Sequence, residues 1–99
     1  MVDGADGSIE KVIDGNSGRF VLSKSGETAE MTFSILSSKT IIVDHTGVPD
    51  ALRGTGAGRA LAEYLVSDAR ANGYKVVPLC PFVNAERRKH PDWADVFQV

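Results

Sequence analysis

The strand-like stretch Thr40-Ile41-Ile42-Val43-Asp44-His45, the turn Arg53-Gly54-Thr55-Gly56-Ala57-Gly58-Arg59, the run from Ala57 to Asn72 and the stretch Lys75-Val76-Val77-Pro78-Leu79-Cys80 decide how this chain folds. Ile41-Ile42-Val43 is an unbroken apolar run, which predicts a central strand covered on both faces. After it, Ala57, Leu61, Tyr64, Leu65 and Ala69 recur at three- and four-residue spacing, while Arg59, Glu63, Asp68 and Arg70 fall mostly elsewhere. That is the pattern of an amphipathic helix of about four turns, closed by Asn72-Gly73. Lys75 to Cys80 follows at once and is nearly continuous in hydrophobicity, which implies a parallel partner under the helix. The unit is therefore strand, Gly-rich turn, helix, strand.

Working outward, Phe20-Val21-Leu22 reads as a short strand. After the turn signal Ser25-Gly26, the residues Ala29, Met31, Phe33 and Ile35 alternate with Glu30, Thr32 and Ser34, so the two segments form a hairpin. Residues 1–18 read as a flexible segment and lead-in, and residues 19–99 as one domain. A polar helix is expected over Phe82 to Lys89, stopped by Pro91, with Trp93, Val96 and Phe97 packing a C-terminal turn. The expected class is α+β, with a mixed, largely antiparallel sheet.

Ninety-nine residues leave room for one domain, and a chain of this size has little core to spare for an internal pocket, so a surface groove is the expected ligand site. The single cysteine, Cys80, excludes an intramolecular disulfide, and the N-terminal residues lack the basic flank and apolar stretch of a secretory signal; a reducing cytoplasm is the expected compartment. No apolar run approaches the roughly 20 residues that span a bilayer. Residues 1–50 hold four Lys/Arg against eight Asp/Glu, and residues 51–99 hold seven against five. That balance argues against a nucleic acid as partner and leaves room for a small anion held by the second half.

The chemistry lies in the turn from Arg53 to Arg59. Three glycines on alternate positions bare the backbone, and they lead straight into a helix N-terminus whose dipole favours negative charge. The arrangement reads as a pyrophosphate cradle, with an unliganded turn at a helix start as the plain alternative. A Walker loop needs Lys-Ser or Lys-Thr after its last glycine, and Arg59-Ala60 stands there instead. The dinucleotide fingerprint is spaced G-x-G-x-x-G at the start of a βαβ domain, whereas here G-x-G-x-G follows a meander.

Arg53-x-x-Gly56-x-Gly58 followed by Leu61 resembles the acyl-CoA loop of the GNAT-type N-acetyltransferases. The runs His45-Thr46-Gly47-Val48-Pro49, Val77-Pro78-Leu79-Cys80-Pro81-Phe82-Val83 and His90-Pro91-Asp92-Trp93 are similar to the minimal, single-domain members of that group, with Gly47 standing where relatives usually carry Glu. The resemblance spans roughly residues 19–97. It implies splayed parallel central strands, with the pantetheine arm of acetyl-CoA bonded to backbone near Thr46 and Val48. It further implies a pyrophosphate on the main-chain N–H groups of Arg53, Gly54, Thr55, Gly56, Ala57, Gly58 and Arg59, charge from Arg53 and Arg59, and an amide contact to the cofactor arm from Asn84.

Transfer to an amine needs a deprotonated nucleophile, a site for the developing oxyanion and an acid for the leaving thiolate. Larger relatives often use a Tyr as that acid, and the stretch from Phe82 to Pro91 contains none. Cys80, immediately before a helix begun by Pro81, is the candidate acid or covalent acetyl acceptor, because a helix N-terminus stabilises a thiolate. His45 is the candidate base, toward Cys80 or toward the amine. Each also has a plain role, Cys80 as a small core residue and His45 as a strand residue bonded to backbone. Arg87-Arg88-Lys89 reads as a solvated face or as a contact to the 3′-phosphate of CoA. Two distant His and one Cys make no metal ligand set.

The expected function is acetyl transfer from acetyl-CoA to a primary amine, by a monomer or homodimer away from the membrane. A CoA-binding sensor or partner module without efficient catalysis is the alternative. A Cys80/His45/Asp44 thiol hydrolase is weaker, because neighbours on a regular strand point to opposite faces.

Overall fold

The computed structural model describes residues 8–99. Four strands, β1 (Ser8–Asp14), β2 (Ser17–Lys24), β3 (Glu27–Ser37) and β4 (Thr40–Gly47), form an antiparallel meander. Helix α1 (Ala57–Asn72) then returns the chain to β5 (Lys75–Pro78), which pairs parallel to β4. Helix α2 (Pro81–Lys89) and a 3-10 turn over Pro91–Trp93 complete the chain. The sheet order is β1-β2-β3-β4-β5.

The register explains which face is the core. Phe20 lies opposite Met31, Leu22 opposite Ala29, Phe33 opposite Val43 and Ile41 opposite Val76, so these side chains share one face, and all are buried. Helix α1 covers that face through Leu61, Leu65 and Ala69, and Tyr64 meets Phe20 edge-on at 5.5 Å. Burying a Phe or Leu of this kind stabilises by about 1.5–3 kcal/mol each. Val83 of α2 and Val96 of the C-terminal segment join the same core. The segment after α2 also covers the outer edge of β5: the Val76 N–H donates to Val96 O, and the Gln98 N–H donates to Val76 O.

Three expectations change. Residues 8–14, read as part of a lead-in, are an edge strand paired along their whole length with β2; residues 1–7 lie outside the described residues. Ile42 and Val77 lie opposite each other on the second face and are only half-buried, so β4 is covered on one face rather than two. The final strand stops at Pro78, short of Cys80. Pro78 has no N–H for the ladder, and the Leu79 N–H turns back onto Val77 O at 3.1 Å, which bends the chain away from β4.

Candidate functional site

The connection from β4 to α1 is held at its base and bare at its top. Leu52, at the end of a short 3-10 turn, is buried, and its carbonyl accepts both the Thr55 N–H and the Thr55 hydroxyl. Gly54 and Gly56 have φ of 80° and 85°, the left-handed region that costs a side chain energy, so the sequence puts glycine there. Gly58 is small for another reason: a Cβ on it would lie 2.7 Å from the Phe82 ring of α2. The first helical bond runs from the Ala60 N–H to Gly56 O. The N–H groups of Gly54, Gly56, Ala57, Gly58 and Arg59 consequently have no acceptor among the described residues, and no acidic side chain occupies the first turn of α1.

Beside this turn the parallel pair opens. Pairing of β4 with β5 ends at Val43 opposite Pro78, with one further bond from the Cys80 N–H to Val43 O at 2.9 Å. On its other side β4 stays paired with β3 as far as Gly47. The β5 side of residues 44–48 is therefore an open strand edge. Arg53 folds back across it, its Nε 3.4 Å from Val48 O. Open edge and bare turn share one groove of about 690 Å3, whose walls include Thr46, Val48, Arg53, Gly54, Gly56, Ala57, Gly58, Arg59, Phe82, Glu86 and Lys89.

At the fork of the two strands, Cys80 is buried, with Sγ 3.3 Å from Thr46 Oγ1. It caps α2, its carbonyl accepting the Asn84 N–H. A β-bulge at Asp44 rearranges the strand beside it. His45 lies opposite Thr32 and Val43 opposite Phe33, so Asp44 is an extra residue. Its carboxylate accepts the Ser34 hydroxyl at 3.1 Å, on the face opposite the core. Asp44 and His45 therefore share the open face, contrary to simple strand alternation, while Thr46 points to the core face and meets Cys80. His45 and Cys80 are not brought together, and a Cys80/His45/Asp44 triad has no geometric support.

Two further expected residues lie off the groove. Thr55 lines a neighbouring cavity that shares Gly56, Ala57 and Arg59 with the groove, and the Asn84 side chain accepts from Arg87 Nε at 2.8 Å. Both tyrosines are engaged elsewhere: Tyr64 packs on Phe20, and the Tyr74 hydroxyl donates to Asp68 at 2.6 Å. Burial, reinforced by that carboxylate, raises the Tyr74 phenol far above its ordinary range. Phe82 and Glu86 were not anticipated as groove residues, and of the run Arg87-Arg88-Lys89 it is Lys89 that joins them there. Their i, i+4, i+7 spacing on one side of α2 is the signal that groups them.

A mixed sheet forked at its parallel pair, with a bare Gly-rich turn leading into the crossover helix, is an acyltransferase-type α+β architecture. Residues 19–96 match the family described as GCN5-related N-acetyl-transferase. No curated protein matches the chain. Among solved structures, the NMR solution structure of a GCN5-like protein from Staphylococcus aureus is similar at a TM-score of 0.66 and 30% identity, over 90% of this chain and 87% of the other. The chain belongs to the GCN5-related N-acetyltransferase family. No helix among the described residues is long and apolar enough to cross a membrane.

Proposed function

We propose that this chain moves an acetyl group from acetyl-CoA to a primary amine, as a protein of the reducing cytoplasm. The observation that carries the reading is the union, in one groove, of five unsatisfied main-chain N–H groups and an unpaired strand edge. The two demand different partners. Clustered N–H groups at a helix N-terminus favour a phosphate, and a strand edge favours a chain bearing amides; CoA has both. Gly54, Gly56, Ala57, Gly58 and Arg59 would hold the pyrophosphate, with Arg53 and Arg59 adding charge, and residues 46–48 would hold the pantetheine arm. Bound there, the thioester supplies an activated acyl group and a thiolate leaving group.

The protein's own groups supply the proton traffic. The Cys80 thiol, hydrogen-bonded with Thr46, sits at the closed end of the open edge and gives its proton to the departing sulfur. The amine arrives from the open face of the sheet, where His45 accepts its proton and Asp44 lends negative charge; a proton returned through solvent restores Cys80. His45 thus acts as base toward the amine and not toward the cysteine, which lies on the other face. The engagement of Tyr64 and Tyr74 in packing and in the Asp68 bond favours a second reading, a CoA-binding module with feeble catalysis.

Release of free CoA thiol from acetyl-CoA, followed with and without small primary amines, tests the proposal. Amine-dependent release together with an acetylated amine supports the enzyme. Tight acetyl-CoA binding with no turnover supports the module.

A further inference from the structure

Of the glycines among the described residues, all but one have a reason in the fold. Five turn in the left-handed region, a Cβ on Gly18 would lie 2.6 Å from the Phe33 ring, and one on Gly58 would lie 2.7 Å from the Phe82 ring. Gly47 has neither reason. It ends β4 in ordinary strand backbone, opposite Glu30 of β3. Among the described residues, a Cβ built on it would meet the His45 ring alone, with Nε2 at 3.4 Å and Cδ2 at 3.9 Å, which are ordinary van der Waals separations. Glycine weakens a strand through its entropy and its lack of a side chain to pack. Where neither a bulge nor a bend calls for it, it marks the close approach of another molecule, and the bulge of β4 is at Asp44.

Position says which molecule approaches. His45 and Gly47, two apart on the strand, face the open side of the sheet, whereas Thr46 and Val48 line the groove. At Gly47 the open face and the groove are therefore divided by main chain alone. An amine hydrogen-bonded to His45 Nε2 stands with its nitrogen about 3 Å away. A side chain on residue 47, beginning 3.4 Å from the same nitrogen, would crowd it. On the other side of this spot, Glu30 carries a carboxylate paired with Arg19 at 3.6 Å, both side chains about half exposed.

We infer that the bare main chain at Gly47 seats the acceptor, and that Gly47 is the specificity-determining residue that admits an amine borne on a branched carbon. The inference rests on the acetyl-transfer reading above. A Cβ beside Nε2 would leave a slim amine room to reach the base and would take the room of a second substituent on the carbon next to nitrogen. Where the fit is close, one methyl group discriminates by roughly tenfold or more.

Transfer to ethylamine and to isopropylamine, compared as the ratio of their kcat/KM values, tests it, because any change in carrier binding is common to both and cancels. Gly47→Ala should move the ratio about tenfold against isopropylamine, and Gly47→Val should move it further. Both variants should keep the fold, with a melting temperature raised by about 2 °C, since a strand favours either residue over glycine when the fold does not require it. A ratio unchanged in Gly47→Val overturns the inference. So does a melting temperature lower by about 5 °C or more in Gly47→Ala, which would give the glycine a structural role. Transfer by the native chain to neither amine overturns instead the acetyl-transfer reading.

Discussion

Thr46 Oγ1 and Cys80 Sγ lie 3.3 Å apart across the fork of β4 and β5, one from the last paired stretch of a strand and the other from the second residue beyond its neighbour. The contact pins the point at which the two parallel strands separate, and it sets the thiol at the closed end of an open strand edge. If that thiol is the acid for the departing sulfur, Cys80→Ser should lower kcat by about a hundredfold or more while KM for acetyl-CoA changes little. Thr46→Val should lower kcat less, since the thiol remains. Steady-state kinetics with both variants checks this; an unchanged kcat in Cys80→Ser would make the cysteine a packing residue.

On the opposite face, His45 is exposed beside Asp44 because of the bulge. His45→Gln should lower kcat with a small amine acceptor and leave acetyl-CoA affinity, measured calorimetrically, as it was. A matching loss of acetyl-CoA binding would show that the histidine belongs to the carrier groove instead.

Gly56 carries φ of 85° at the mouth of α1. Gly56→Ala should cost about 1–2 kcal/mol of stability through backbone strain and should also reduce the rise in melting temperature given by acetyl-CoA. ATP and NAD should give no comparable rise in the native chain. Thermal denaturation with each ligand reads both effects.

Arg70 clamps the end of α1 to the C-terminal segment, donating to both oxygens of Asp95 at 3.2 and 2.8 Å and to Asp92 O at 2.8 Å. The hydrogen bond from Arg70 holds the Asp95 carboxyl below the usual carboxylate range. A depressed folded value means that the carboxylate stabilises above its unfolded value of about 3.9 and that this contribution fades as pH falls through the lower folded value. Asp95→Asn should therefore lower the melting temperature at neutral pH, and the gap to the native chain should close under acid conditions below about pH 4.

Much of this architecture was legible from residue pattern alone, and the exceptions have common causes. The apolar period of α1 gave its bounds, because the helix buries one continuous stripe and nothing else competes with it. β1 was hidden because it is an edge strand: Ile9 and Val12 are only half-buried, and Ser8 to Asp14 shows no clean alternation. The bulge at Asp44 is a property of pairing with β3 and has no local mark, so the shared face of Asp44 and His45 could not be read from spacing. Glu86 looked like part of a solvated helix; its burial comes from the elements packed around it.

As proposed above, the bare amides between β4 and α1 would receive the phosphates of CoA. Amide NMR of the isotopically labelled chain, titrated with CoA, tests it most directly, since each of those N–H groups gives its own signal. The Gly54, Gly56, Ala57, Gly58 and Arg59 amide resonances should shift most and gain protection from exchange. A saturating titration that leaves these five unmoved, or that moves chiefly the residues around Arg87 and Phe97, would contradict it.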